Sequence, residues 1–288
     1  MQLKKSERKA NKIKLALTGM SGSGKSMSSL LLAKGLCNGD LSKVAVIDTE
    51  NSIDLYSYIG NFSVLNLTSP FSPDKYIQAI ETCEKSGIEV IIIDSISHCW
   101  HYLLQLHGAL AGNSFTNWNR VTPLQNAFVQ KILQSPCHII CTIRTKQDYL
   151  IETKEGKTTI SKVGTKPIQR SEIEYEFTTV LSINAEHKAK ATKDRTNLFN
   201  GVSEFLITEE TGSFIREWCC SALTLDDVKS QIKQCSTIEQ LTTLYQQYPQ
   251  WYKLLSNDFT LQKQLLKERT ITNKLNPNNH GSITIKAS

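Results

Sequence analysis

A chain of 288 residues with 40% hydrophobic and 21% charged side chains, 14 Gly and 7 Pro has the composition of a globular protein long enough for one large domain and a small appendage, neither collagen-like nor disordered throughout. Its formal net charge is +6, and Lys4, Lys5, Arg8, Lys9, Lys12 and Lys14 against Glu7 concentrate +5 of it in residues 1–14, a basic arm suited to a phosphate backbone or simply to solvent. No run approaches the ~18 apolar residues of a membrane span, and residues 1–12 lack the apolar segment of a secretory signal, so a cytoplasmic protein with no membrane partner is expected.

In chain order, residues 13–19 (IKLALTG) read as a short buried strand. It runs into a Ser/Gly turn and a helix carrying Met27, Leu30, Leu31 and Leu36 that ends near Asn38-Gly39. Lys43–Asp48 (KVAVID) is a second buried strand; Pro73-Asp74 opens a helix through Lys85, and IEVIIID (88–94) is a third strand. Strands alternating with helices predict a mostly parallel sheet covered on both faces, an α/β fold. Thr122-Pro123 reads as an N-cap with proline at the first helical position, predicting a helix from Pro123 to about Leu133 and then a strand at His138–Ile143. Residues 145–170 contain Gly156, Gly164 and Pro167, and 144–170 hold seven basic residues against three acids. A mobile basic loop is expected there, with a hairpin at Glu155-Gly156. Strands follow at FTTVLSI (177–183) and HKAKATK (187–193). From about Trp218 the pattern is helical: 225–232, a helix after the capping box Ser236-Thr237-Ile238-Glu239, and one near 258–268.

The eight cysteines (37, 83, 99, 137, 141, 219, 220, 235) lack the spacing of a disulfide framework and read as reduced core thiols. Cys137-x3-Cys141 and His98-Cys99-Trp100-His101 have no second half-site, whereas structural zinc needs four converging donors.

Gly19-Met20-Ser21-Gly22-Ser23-Gly24-Lys25-Ser26 fits G-x-x-x-x-G-K-[ST] between a strand and a helix. Here the backbone from Gly19 through Met27, with Ser21, Gly22, Ser23 and Gly24, wraps the phosphates of a nucleotide. Lys25 reaches the β/γ oxygens and Ser26 ligates Mg²⁺. Asp94 ends a buried strand, where a carboxylate supports the same Mg²⁺ or caps the next helix. Glu50 lies just past the second strand, placed to polarise an attacking water; spacing alone does not separate it from Asp48. The absence of an LSGGQ signature and of N-K-x-D favours ATP in a protein that is neither a transporter subunit nor an ordinary GTPase.

Gly19–Ser26, AVIDTENSID (45–54), VIIIDSIS (90–97), CTIRTK (141–146) and KATKDRTNLF (190–199), in that order, resemble the core of RecA-type recombinases. They are most similar to phage-borne, core-only RecA-like ATPases, some of them single-strand annealing proteins, and KVGTKPIQRSEIEYEF (162–177) strengthens that likeness. The resemblance implies a RecA-like P-loop ATPase, homo-oligomeric, binding single-stranded DNA and acting in phage or mobile-element recombination and repair. It implies that Glu50 activates water, Asp94 supports Mg²⁺, Thr142 senses the γ-phosphate, Lys193 and Arg195 reach a neighbouring subunit's ATP, and Tyr56 stacks on adenine. Residues 145–170 fall at the family's second DNA-binding loop. Gly108–Arg120 falls near the first, with Phe115 and Trp118 as base-stacking platforms or as anchors to the core. The few residues before the first strand leave no room for the recombinases' polymerising segment, and Thr142 stands where they carry an amide, so filament formation is not expected. The expected organisation is a basic tail (1–12), an ATPase core (13–217), a small helical domain (218–270) and a flexible tail (271–288). A second reading is an ATP-dependent switch that recruits a protein partner through its C-terminal helices without touching DNA.

Overall fold

The structure is a computed structural model that describes residues 12–154, 157–220, 225–248 and 252–275. It divides into two compact units, Met1–Ser221 and Ala222–Ser288.

The first unit is built on nine strands: β1 (Lys14–Gly19), β2 (Val44–Asp48), β3 (Ser63–Asn66), β4 (Val90–Asp94), β5 (His138–Lys154), β6 (Lys157–Pro167), β7 (Thr179–Ile183), β8 (Lys188–Asp194) and β9 (Phe205–Leu206). Their order is β3-β2-β4-β5-β1-β7-β8-β9, with β6 paired to β5 off this path. β3 through β7 in that order run parallel, while β8 and β9 are antiparallel. β1, β2 and β4 are buried at every residue, as strands covered on both faces must be. Alternation assigns their side chains to two layers. Leu15, Leu17, Val46 and Ile92 pack beneath α1 (Lys25–Leu36) with Leu30 and Leu32, whereas Ala16, Ile47, Ile91 and Ile93 face Tyr76 of α2 (Pro73–Lys85) and Phe128 of α4 (Ser114–Gln134). α3 (Ser97–Ala109) completes that second layer through Cys99 and Leu103. This is the RecA-like P-loop NTPase fold, with β5 standing between the strand that feeds the glycine turn and the strand that ends in Asp94.

Several expectations are corrected. Residues 145–167 form no loop: β5 runs on past the sheet and β6 returns along it, paired from Thr145↔Pro167 to Lys154↔Lys157. Long strands with Thr and Ile on a two-residue connection suit a hairpin; residues 155–156 lie outside the described residues. Pro123 does not start a helix but sits inside α4, whose N-cap is Asn113, its side chain accepting from Phe115 N at 2.8 Å. The backbone hydrogen bond that proline removes is offset because Val121, Gln125, Phe128 and Ile132 bury one continuous face. The expected loop at 108–120 therefore shrinks to 110–113 between α3 and α4. The boundary expected after 217 falls inside α5 (Glu209–Cys220), which packs on α1 and belongs to the first unit.

The second unit holds α6 (Leu225–Gln234), α7 (Ile238–Gln247) and α8 (Tyr252–Leu275) around Val228, Ile232, Leu241, Leu244, Leu255, Phe259 and Leu266. Its capping box is centred one residue later than expected: Thr237 Oγ1 accepts from Gln240 N, and Gln240 Oε1 accepts from Ser236 N. α8 also extends to Leu275, through the start of the tail expected from 271; residues 1–11 and 276–288 lie outside the described residues. No helix among the described residues is long and apolar enough to cross a membrane.

Candidate nucleotide-binding site

Parallel strands deliver their C-terminal residues to one rim, and this sheet brings Gly19, Asp48, Asp94 and Arg144 there: Asp48 pairs with Asp94 and Gly19 with Arg144. Between Gly19 and α1 the turn needs left-handed backbone at Gly22 (φ 79°) and Gly24 (φ 90°), which side-chain-bearing residues rarely adopt. At Gly24 a Cβ would also stand 3.0 Å from His187 Nδ1. His187 Nδ1 lies 3.0 Å from Ser23 O, so the β7–β8 turn braces the glycine turn.

A pocket of about 390 Å³ opens over this rim, with Ser21, Gly22, Gly24, Lys25, Ser26 and Met27 on one side and Glu50, Asp94 and Arg144 facing them. Tyr56, Leu31, Leu206 and Ile207 supply an apolar flank. Lys25 Nζ donates to Gly19 O at 3.0 Å and Met20 O at 2.7 Å, and burial lowers its pKa from the usual lysine range. Asp94 is the hub: Ser26 Oγ donates to its Oδ2 at 2.5 Å and Thr142 Oγ1 to its Oδ1 at 2.5 Å. Burial pushes the Asp94 carboxyl up, against the two hydroxyl donors.

The two acids of the second strand separate cleanly. Asp48 Oδ1 accepts from the backbone N–H groups of Glu50 and Asn51, and Oδ2 from those of Ser52 and Ile53. It is spent on the turn. Glu50, carried by that turn, enters the pocket, where Arg144 Nε and Nη2 each stand 2.8 Å from its Oε1.

The pocket thus gathers Ser21, Gly22, Gly24, Lys25, Ser26, Met27, Glu50, Tyr56 and Asp94. Gly19 and Ser23 sit beneath the turn, with Ser23 Oγ buried and unpaired in hydrogen bonding. Thr142 is fully buried behind Asp94 and does not line the pocket. Lys193 and Arg195 lie elsewhere. β8 runs antiparallel, so Lys193 pairs with Val180 and Arg195 N bonds Thr178 O, toward the opposite rim. There Lys193 Nζ donates to Glu174 O and Tyr175 O, and Arg195 Nη2 to Tyr175 O at 3.2 Å. Trp118 stacks between His107 (4.2 Å) and Trp100 (5.9 Å), an anchor, whereas Phe115 is 84% exposed. His98 turns inward, its ring stacked on Phe71 at 4.9 Å and its Nδ1 2.7 Å from Thr49 Oγ1.

Sequence reasoning missed Arg144 and His187 at the pocket. Arg144 has a signal: it is two residues beyond Thr142 on one strand and so points to the same side. His187 has none, since only the folded turn brings it to Ser23.

The sequence profile of the AAA domain matches residues 11–215. The chain belongs to the AAA domain family. No curated protein matches it in sequence. Among solved structures, a KaiC-like protein of the hyperthermophilic archaeon Pyrococcus horikoshii is similar over 66% of this chain and 81% of its own, with 16% identity and a TM-score of 0.39. This AAA domain has the fold of the P-loop NTPases.

The residues present suit a magnesium nucleotide. Mg²⁺ keeps several waters and takes only one or two protein oxygens beside phosphate, and Ser26 Oγ with Asp94 offers that small set at the pocket wall. No group of three or more His, Cys, Asp or Glu converges among the described residues, so the phosphates would complete the shell.

Proposed function

We propose that this AAA domain hydrolyses ATP, assembles into a homo-oligomer and works on single-stranded DNA in phage or mobile-element recombination and repair. The observation that carries the hydrolytic part is the division between the acids: Asp48 is consumed by four backbone N–H groups, which leaves Glu50 as the carboxylate of that turn facing Lys25 and Ser26 across the pocket.

In this reading the glycine turn and the start of α1 hold the triphosphate by backbone N–H groups and the positive helix end. Lys25 exchanges two loop carbonyls for β/γ oxygens. Ser26 and Asp94 would hold Mg²⁺, which when bound would supply positive charge to offset that of the phosphates, and Thr142 positions Asp94, so it reports on the γ-phosphate only through that carboxylate. A water attacks the γ-phosphorus and gives its proton to Glu50. The bond from the γ-phosphorus to the β–γ bridging oxygen breaks, and its electron pair stays on ADP. Tyr56, with Leu206 and Ile207 on the apolar flank, receives the base. Lys193 and Arg195, on the rim away from their own glycine turn, serve a neighbour's nucleotide in trans; cations supplied this way are worth ~10³–10⁵ in rate in phosphoryl transfer.

The DNA part rests on charge. The hairpin and its base, 144–170, carry seven basic residues against three acids, and a backbone-tracking surface needs such an excess. The test is ATP turnover of the full chain with and without a single-stranded oligonucleotide, together with binding at ~50 and ~200 mM salt. Stimulation by the oligonucleotide, and an affinity that falls with salt and with charge reversal of Lys157, Lys162 and Lys166, are expected. Absence of both stimulation and salt-sensitive binding overturns the DNA part, and retained ATP turnover would then favour the switch that recruits a protein partner.

A further inference from the structure

His187 lines the pocket together with the phosphate turn yet has no part in the hydrolytic chemistry. Two independent constraints fix where it stands. Its Nδ1 donates to Ser23 O at 3.0 Å and lies 3.0 Å from where a Cβ on Gly24 would be, which sets the ring against the phosphate turn. Its neighbour Lys188 pairs with Leu206 of β9, and Leu206 belongs with Ile207 to the apolar flank of the same pocket. His187 therefore sits between the end that takes phosphates and the flank that takes a base. In a nucleotide the group between those two is the ribose.

The backbone of the turn holds the ring in place. Asn184 N donates to Lys188 O and Asn184 Oδ1 accepts from Lys188 N, both at 2.9 Å, and His187 N donates to Asn184 O at 3.2 Å. His187 takes φ 63° there, left-handed backbone in which His and Asn are among the more frequent side-chain-bearing residues. A carbonyl oxygen only accepts, so Nδ1 carries the ring proton and Nε2 of the neutral ring is an acceptor. Among the described residues no hydrogen bond to Nε2 is formed. The side chains of Leu31, Leu206 and Ile207 on the apolar flank cannot accept a hydrogen bond from a sugar hydroxyl, whereas Nε2 can.

We propose that His187 reads the sugar of the nucleotide: Nε2 accepts a hydrogen bond from a ribose hydroxyl, so that the pocket selects ribonucleotides over their deoxy counterparts, while Nδ1 keeps the phosphate turn in shape. The proposal rests on the reading of this pocket as a nucleotide site. A site built to bond a hydroxyl rejects the analogue that lacks it, because the polar group of the site is then left unpaired. His187 is exposed at the pocket edge, so the discrimination is that of one neutral hydrogen bond, about three- to tenfold in affinity.

The two ring nitrogens can be tested apart in the full chain. Asparagine keeps a donor at the place of Nδ1 and tolerates the same backbone, but has no atom at the place of Nε2. Glutamine reaches the place of Nε2 with its Oε1 and has no donor near Nδ1. Affinities for ADP, 2′-deoxyADP and 3′-deoxyADP are measured with Mg²⁺ by calorimetry for wild type, H187N, H187Q and H187A, with folding followed by urea midpoint. Wild type is expected to bind ADP about three- to tenfold more tightly than at least one of the deoxy nucleotides. H187N should bind ADP and that analogue equally. H187Q should keep the preference with weaker binding of both, and H187A should lose the preference together with part of its affinity for all three. Wild-type indifference to both hydroxyls, a preference unchanged in H187N, or one lost equally in H187N and H187Q overturns the ribose contact and leaves the nucleotide site standing. Failure of wild type to bind any of the three overturns the nucleotide reading of the pocket and the contact with it.

Discussion

Two carboxylates two residues apart do opposite work here, and the difference is only in which atoms face them. Asp48 is fully buried and satisfied by four backbone N–H groups; replacing one of its oxygens by an amide aims donors at donors. Asp48→Asn is therefore expected to lower stability by about 1–3 kcal/mol, read as a fall in the urea midpoint, and to slow ATP turnover through a loosened turn. Glu50→Gln should stay within ~0.5 kcal/mol of wild type while binding nucleotide without hydrolysing it. Equal stability losses in the two variants would refute the assignment. A second residue, His138, ties the entry of β1 to β5: its Nδ1 accepts from Ile13 N at 3.1 Å, and burial, aided by Lys12 and Lys14, pulls its pKa down to about 3. Its ordinary value is 6.5, so the unfolded chain takes the proton first. The stability His138 contributes is full above pH ~6.5 and drains away as pH falls toward about 3, by ~1.4 kcal/mol per unit. His138→Asn, whose Oδ1 can replace Nδ1 as acceptor, should flatten that part of the slope in urea titrations at pH 7 and 5. Lys14, beneath the same strand, works in the same direction at the other end of the scale. Its Nζ bonds Ser135 O and Cys137 O, and burial lowers its pKa to about 8, so folding gains as pH rises between about 8 and the free-lysine value.

Elements that carry their own periodicity or punctuation were readable without the fold. The buried runs of β1, β2 and β4, the proline that opens α2, and the Asn38-Gly39 stop after α1, where both residues adopt positive φ, are local signals. α3 and β3 went unread, since the first mixes polar and apolar residues on every face and the second is a four-residue edge strand with only partial burial. The sequence places a hairpin at Glu155-Gly156, and β5 and β6 pair up to Lys154↔Lys157 on either side of it; the length of those strands is hidden because their charge outweighs their alternation, and the true start of α4 is hidden because packing, invisible locally, outbids the one hydrogen bond missing at Pro123. The contact between α1 and α5 was also hidden. Gly35 and Gly212 meet there with no room for a side chain: a Cβ on Gly35 would stand 2.0 Å from Glu209 O, and one on Gly212 2.2 Å from Leu32 O. Gly212→Ala must push the helices apart and is expected to cost about 1–3 kcal/mol in urea unfolding. Gly108→Ala on α3, where nothing lies within 4 Å, should be neutral or stabilising by up to ~1 kcal/mol. Equal effects at both positions would refute the packing argument.

For the molecule as a whole, the antiparallel run of β8 has the largest consequence. It takes Lys193 and Arg195 away from the rim that holds their own phosphate turn and leaves them on the carbonyls of Glu174 and Tyr175. If they act on nucleotide, they act on another protomer's, and activity becomes a property of the assembly. Arg195→Ala and Lys25→Ala should each be inactive alone, yet mixing them should restore part of the turnover, because an intact pocket then meets an intact cation in some interfaces. No recovery on mixing, with each variant folded by urea midpoint, would rule out action in trans.

The phosphate turn, the parallel order of its flanking strands and the acid at the end of β4 were all legible from the chain alone. Each is set by residues adjacent in sequence: glycines that permit left-handed backbone, and apolar runs that can only be interior strands. What tertiary structure decided is the chemistry between distant segments. It bound Asp48 to the backbone of residues 50–53 and left Glu50 lining the pocket, turned Thr142 onto Asp94, brought His187 under the glycine turn and joined Glu50 to Arg144 across 94 residues of chain. Such choices depend on strand register and on which backbone donors lie within three ångströms of a carboxylate, and those distances exist only once the sheet has formed.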